Sequence, residues 1–134
     1  MFIRWFLLAG TLAQVAGAQA FPPDEIIILG SIDYGLTSPP IAYKSPPRYR
    51  AYMFNGRPGD HIEVSVHATR GVPKAFVTDS NLKLVAGGKA RLSLTIPHAS
   101  GPDTYYIIFH EAQFRPGEFK VELERPYRTD KPAR

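Results

Sequence analysis

Cysteine is absent from this chain of 134 residues, so no disulfide stabilises the fold, and packing and strand pairing must do so instead. Helical patterning is missing too, because no eleven-residue stretch after residue 20 carries an i, i+3, i+4, i+7 apolar stripe free of proline and glycine. Charges of one sign do not cluster, and 16 Lys+Arg against 12 Asp+Glu give a net charge of +4. We therefore expect no nucleic-acid partner, since such proteins present a basic stripe.

A long apolar run is also missing, apart from a short one at the start. Arg4 precedes a mostly apolar stretch, residues 5–16, which is too short to span a bilayer as a helix. Ala18 and Ala20 then place small residues where signal peptidase requires them. Residues 1–20 are predicted to be a cleavable signal peptide, the alternative being an uncleaved anchor. We expect a periplasmic or extracellular protein with no membrane span after cleavage.

What the chain does contain is alternation of period two, together with thirteen prolines and eleven glycines. Apolar Ile62, Val64 and Val66 alternate with polar Glu63 and Ser65, which is typical of a half-buried strand. About eight short strands separated by turns predict an all-β fold, an antiparallel jelly-roll-like β-sandwich spanning residues 21–125, followed by a polar tail, 126–134. The predicted strands are Ile26–Ile32, Tyr49–Phe54, Ile62–Ala68, Lys74–Asp79, Leu82–Ala86, Arg91–Ile96, Thr104–Glu111 and Glu118–Arg125.

Three segments allow more specific structural predictions. The stretch 26–29 is apolar on both faces, so we expect both faces to be covered. The segment 35–48 contains two Pro-Pro pairs and is predicted to be an extended, polyproline-like connection. Gly87-Gly88 is predicted to be a hairpin turn.

No catalytic constellation is evident. His61 and His67 share one face of a strand but lie roughly 20 Å apart at about 3.3 Å per residue, too far to bind one metal ion. Ser65 lacks the strained turn that exposes a nucleophile. Glu122 and Glu124 match the ordinary outer face of a sandwich. We expect a protein that is not an enzyme, with a small secreted hydrolase kept as an alternative.

Calcium is the one metal for which candidate ligands remain. Asp79 and Asn81 flank Ser80 in a short loop, and Asp60 lies at another loop edge; hard cations favour such oxygens. The competing interpretation is that these residues form turns through their own backbone. On that interpretation Asp60 caps its turn, and Gly59 supplies a positive φ. No other cofactor is expected.

Tyrosines outside the clear strands are candidates for a binding surface. Tyr34 and Tyr43 lie in such segments, and one member of the Tyr105-Tyr106 pair must face outward, for which we choose Tyr106. A planar row of exposed rings would indicate a carbohydrate-binding module. Core or edge packing is the alternative, and the only tryptophan, Trp5, lies in the predicted signal peptide.

The order of these features resembles the bacterial pre-peptidase C-terminal (PPC) domain and its stand-alone relatives. The resemblance covers residues 49–125 and extends less surely over 26–48. It is carried by turn and strand motifs, namely Gly56-x-x-Gly59-Asp60, Leu92-x-Leu94-x-Ile96-Pro97, Gly101-x-x-Thr104-Tyr105-Tyr106 and Pro116-Gly117-x-Phe119-x-Val121-x-Leu123.

The resemblance implies a jelly-roll-like sandwich in an exported, non-catalytic protein that aids secretion, folding or substrate attachment. Some relatives bind calcium near an acidic N-terminal linker, whose place is taken here by the proline-rich segment 35–48, so no binding residue is carried over. The function expected from the sequence is therefore binding of an exported protein or of a cell-surface or extracellular polymer. Loops 34–48 and 97–103 are the expected contact surface.

Overall fold

The computed structural model describes residues 21–97 and 103–125, which form two packed β-sheets. The predicted signal peptide, 1–20, and the polar tail, 126–134, lie outside the described residues. No helix in the described part is long and apolar enough to cross a membrane. A single 3-10 turn at Pro23–Glu25 precedes the strands. These are β1 (Ile26–Ser31), β2 (Leu36–Thr37), β3 (Ile41–Tyr43), β4 (Tyr49–Gly56), β5 (His61–Arg70), β6 (Pro73–Thr78), β7 (Leu84–Lys89), β8 (Arg91–Thr95), β9 (Asp103–Glu111) and β10 (Gly117–Glu124).

The predicted all-β sandwich is confirmed. The first sheet has the order β1-β4-β9-β6-β7, in which β1 runs parallel to β4 and every other pair is antiparallel. The second has the order β2-β10-β5-β8, with β3 also paired to β10. The inner faces of the two sheets enclose one apolar core. Its largest fully buried apolar side chains include Tyr105, Phe109, Phe119, Ile62 and Leu123.

The proline-rich segment 35–48 contains two short strands that the sequence did not predict. It contains β2 and β3, which both lie along β10 and are separated by Pro39 and Pro40. Between them Ser38 continues the contact, because its backbone N–H donates to Val121 O at 2.7 Å and its Oγ accepts from Val121 N at 2.9 Å. The prolines interrupt this edge strand because they lack the N–H that a ladder needs. The sandwich therefore has two short strands beyond the eight predicted.

The prediction that 26–29 is covered on both faces is wrong. Strand β1 lies at the edge of its sheet and pairs only with β4 among the described strands. Ile27, Ile28 and Leu29 are 41%, 48% and 39% exposed. A short apolar run resembles a central strand, but its place in the sheet depends on contacts with distant parts of the chain.

The prediction of a hairpin turn at Gly87-Gly88 is also wrong, because both glycines lie inside β7. A Cβ on Gly87 would collide with the ring of Phe76 on the neighbouring strand. Gly88 adopts a φ of +101° where the ladder with β6 shifts register. These glycines serve a close aromatic contact and a β-bulge, two roles that glycine takes inside strands.

Strand β5 follows the predicted alternation with two exceptions. Ile62, Val64 and Val66 point into the core as expected. Ala68, predicted to point inward, is exposed beside a register shift in the ladder with β10. Ser65, predicted to lie on the solvated face, is only 7% exposed.

A second, smaller apolar cluster covers part of the outer face of the first sheet. Phe21 is buried there with Ala51 and Ile108. Its ring contacts Tyr49 edge-on and Phe76 at a tilt, each with a centroid separation of 5.2 Å. Its backbone N–H donates to the carbonyl oxygen of residue 82 at 3.2 Å. The residue that follows the predicted cleavage point therefore packs into the fold.

Candidate functional site

One end of the sandwich holds a small pocket of about 180 Å³. Its walls include the buried side chains of Ile32, Phe54 and Leu123, and Arg57 and Arg125 also line it. Apolar walls combined with guanidinium groups are a common composition for a ligand pocket, although this volume is below the usual range for small-molecule sites. A volume of this size is comparable to that of one large side chain.

Beside this pocket, Asp60 forms an ion pair with Arg125. Arg125 Nη1 lies 3.2 Å from Asp60 Oδ2, and the guanidinium sits over the ring of Tyr34 at 4.7 Å from its centroid. The hydroxyl of Tyr34 lies 3.5 Å from the same carboxylate oxygen. Burial first, and then the negative charge of Asp60, raise the pKa of Tyr34 to about 12. Burial and the neighbouring carboxylate therefore favour the neutral form of the Tyr34 hydroxyl.

Asp60 therefore does more than begin a strand. Its backbone closes the turn, since its N–H donates to Arg57 O at 3.0 Å and its carbonyl accepts from Ile96 N at 2.8 Å. Gly59 has the expected positive φ of +85°. The carboxylate, however, bonds to Arg125 at the end of β10 rather than capping its own turn. Asp60 thus ties the β4–β5 turn to the last described residue of the chain.

The predicted calcium ligands have separate partners. Oδ1 of Asp79 accepts backbone N–H groups from Asn81 at 2.9 Å and Lys83 at 3.0 Å, which is a turn-forming arrangement. Asp60 is engaged with Arg125 instead. Across residues 21–97 and 103–125, no group of three or more His, Cys, Asp or Glu side chains is placed to hold a metal ion.

The three candidate tyrosines lie in three different environments. Tyr34 borders the end pocket, whereas Tyr43 is 1% exposed and donates its hydroxyl to the carbonyl oxygen of Arg48 at 2.7 Å. Tyr106 does face outward, as parity required, but packs against the small cluster around Phe21. They do not form a common aromatic row, so the observation on which a carbohydrate-binding face would depend is missing for these residues.

One histidine, His67, forms a close contact with a carboxylate. His67 Nε2 lies 2.8 Å from Glu122 Oε1, beside a groove of about 610 Å³ on the outer face of the second sheet. No hydroxyl group of the described residues bonds to the imidazole of His67, so no nucleophile completes the pair. His110 is buried and stacks between Phe76 and Phe114, and burial lowers its pKa. His110 is therefore part of the aromatic packing.

The outer face of the second sheet carries facing carboxylates. Glu124 of β10 lies directly opposite Glu63 of β5, and Glu122 lies opposite Ser65. A hydrogen bond from His67 lowers the pKa of Glu122. The pKa of Glu124 is raised, first by its hydrogen bond to Glu122 and then by the charges of Glu122 and Glu63. Like charges directly opposite each other destabilise a sheet, so this arrangement is not explained by stability alone.

The open edge at β1 is the third distinctive surface. Four of the six exposed large aliphatic side chains in the described residues belong to β1 and β2, which the short stretch 32–35 connects. Neither a charge nor a proline lies within β1. Edge strands of monomeric proteins usually carry such residues to prevent pairing with other chains.

Comparison with known proteins finds similarity in structure rather than in sequence. The pre-peptidase C-terminal domain of a collagenase from Bacillus anthracis superposes with a TM-score of 0.56 at 14% identity, over 71% of this chain and 94% of that one. This chain has a PPC-like fold. The periplasmic inhibitor of g-type lysozyme from Aeromonas hydrophila, PliG, is also similar, with a TM-score of 0.50 at 9% identity, over 74% of this chain and 99% of that one. No family model and no curated protein matches the sequence.

In this PPC-like fold, the Gly56–Asp60 motif has a structural role, whereas Gly101 of another motif lies outside the described residues. The Gly56–Asp60 motif forms a turn, and a Cβ on Gly56 would lie 2.8 Å from the ring of Tyr105. Sequence reasoning missed Arg125 as the partner of Asp60, because 65 residues separate them. It also missed the exposed edge, because the uncharged, apolar sequence of residues 26–29 is typical of a central strand.

Proposed function

We propose that this chain is an exported, non-catalytic binding domain whose partner is a protein, and that the partner adds a strand to the edge at β1. The observation that carries the proposal is the uncharged, apolar edge itself. Ile27, Ile28 and Leu29 expose between 39% and 48% of their surface on a strand that pairs only with β4 in the described part of the chain. An added strand would pair with the open backbone edge and cover these side chains.

Two further observations support a binding role. A similar fold occurs in a pre-peptidase C-terminal domain of a collagenase and in a protein that inhibits a lysozyme, and the second of these acts by binding another protein. Among the described residues, no hydroxyl group bonds to His67 of the His67–Glu122 pair, which supports a non-catalytic role. Export is supported by the pattern of residues 1–20.

The test is retention of partners from the secreted and envelope fractions of the host. The chain from residue 21, tagged at its C-terminus, is compared with Ile28→Lys and with Leu84→Lys. Leu84 is the matched control, because it is 38% exposed on β7, the opposite edge of the same sheet. Circular dichroism checks that both variants remain folded.

We expect a specific protein to be retained by the unmodified chain and by Leu84→Lys, and retained about tenfold less by Ile28→Lys. A lysine in the added-strand interface would leave an unpaired charge against apolar side chains, and tenfold corresponds to about 1.4 kcal/mol. Equal loss with both variants would contradict the role of β1. Loss of the domain into an insoluble polymer pellet, with no protein retained, would contradict a protein partner.

A further inference from the structure

The outer face of the second sheet has an electrostatic character opposite to that of the whole protein. Glu63, Glu122 and Glu124 lie together on β5 and β10, while the chain as a whole carries a net charge of +4. Their side chains are partly buried, with Glu63 and Glu122 at 32% and 29% exposure. Carboxylates held this close, and partly withdrawn from water, interact more strongly than freely solvated ones.

The cations on this face only partly offset the carboxylates. Arg91 Nε lies 3.8 Å from Glu63 Oε2 and its side chain is 73% exposed, so the ion pair is weak. His67 pairs with Glu122, and Lys120 lines the groove beside them. Glu124 has no Lys, Arg or His nitrogen within 4 Å among the described residues, whereas Arg91 lies beside Glu63. The hydrogen bond of Glu124 to Glu122, and then the charge of Glu122, raise the pKa of Glu124.

Ser65 provides an independent indication that something binds here. Its neighbours in the ladders are Glu122 on β10 and Arg91 on β8, which places its side chain on the outer face between them. The residue is 7% exposed, yet its hydroxyl makes no hydrogen bond within the described structure. Buried polar groups are nearly always paired, because leaving one unpaired costs free energy. Ser65 therefore offers an unused donor and acceptor beside the carboxylates.

We propose that Glu63, Glu122, Glu124 and Ser65 form a binding site for a cationic side chain, the ammonium of a lysine or the guanidinium of an arginine, on a protein partner. The cation would lie against the carboxylates and donate to the hydroxyl oxygen of Ser65. An inorganic cation fits less well, since the described residues place no three ligands around one point. The inference rests on the proposed function only in that the partner is a protein, and it concerns a different surface from β1.

The test uses hexalysine as the probe and records amide chemical shifts of the isotope-labelled chain from residue 21 during titration. The net positive charge of the protein opposes binding of a polycation, so any binding must be local. Glu63→Gln/Glu124→Gln removes two charges from the site. Asp24→Asn/Asp33→Asn removes two charges from exposed positions elsewhere and is the matched control.

We expect shifts confined to the outer-face residues of β5, β8 and β10, and an affinity about fivefold weaker in the glutamine variant but unchanged in the asparagine control. The factor follows from roughly 0.5 kcal/mol for each partly exposed charge pair. Dispersed shifts, or equal losses in the two double variants, would overturn the proposal.

Ser65→Ala separates binding from structure. Removing an unpaired buried hydroxyl should leave the thermal stability of the free protein equal or higher, yet weaken hexalysine binding about twofold. Unchanged binding by this variant would overturn the role assigned to Ser65. Ile28→Lys should bind hexalysine normally, so failure of strand addition at β1 and failure of this site give different results.

Discussion

Phe21→Ala is expected to lower the free energy of unfolding by about 3 kcal/mol, because Phe21 packs on the outer face of the first sheet. Phe21 is 4% exposed, and the centroid of its ring lies 5.2 Å from the ring centroids of both Tyr49 and Phe76. Truncating a buried phenylalanine to alanine usually costs about 3–5 kcal/mol. We expect the lower end of that range, since a site on an outer face can partly collapse or admit water.

The assay is urea unfolding of the chain that begins at Phe21, followed by far-ultraviolet circular dichroism. A loss of about 3 kcal/mol corresponds to a fall in melting temperature of roughly 12 °C for a domain near 100 residues. Ile28→Ala is the control, because Ile28 lies on the same sheet but is 48% exposed; it should cost about 1 kcal/mol or less. A loss below about 1 kcal/mol for Phe21→Ala would refute the reasoning, because Phe21 would then contribute no more to stability than an exposed residue such as Ile28.

Two further substitutions test the packing that supports both surfaces. Gly87→Ala should destabilise the fold by about 1–3 kcal/mol in thermal unfolding, because its Cβ would displace the ring of Phe76; an unchanged melting temperature would contradict that contact. Glu111→Gln should destabilise at pH 7, because the buried carboxylate accepts N–H groups from Arg115, Gln113 and Val72, which lower its pKa. Stability from a lowered carboxyl pKa is present above the usual 4.5 and is lost on acidification through the lowered value, so urea unfolding should find a smaller difference at pH 3 than at pH 7.

Local alternation was sufficient to predict most strands of the sandwich. The strand predicted at Ile62–Ala68 spans His61–Arg70 in the structure, and the strand predicted at Arg91–Ile96 spans Arg91–Thr95. Over most of each strand, apolar and polar residues alternate, because one face lies on the core and the other points away from it. The order of strands, by contrast, depends on contacts between residues far apart in the chain, which single-sequence periodicity does not contain.

The sequence did not reveal the β1 edge or the carboxylate face of the second sheet for the same reason. Residues 26–29 have the composition of a buried strand, and only the sheet order reveals that they lie at an edge. Glu63 and Glu124 each fit an ordinary solvated face, and only the register of β5 against β10 places them opposite each other. The end pocket likewise combines residues far apart in the chain, such as Ile32, Phe54 and Leu123. The sequence therefore predicted where strands lie along the chain, but not which strands lie next to each other in the sheets.

The measurement that tests the central claim most directly is amide hydrogen exchange of this chain, alone and bound to the protein retained in the pull-down. Strand addition at β1 predicts that amides of Ile26–Ser31 become protected on binding, while those of Leu84–Lys89 at the opposite edge keep their exchange rates. Protection confined to other regions, with β1 exchanging as fast as in the free protein, would contradict the account.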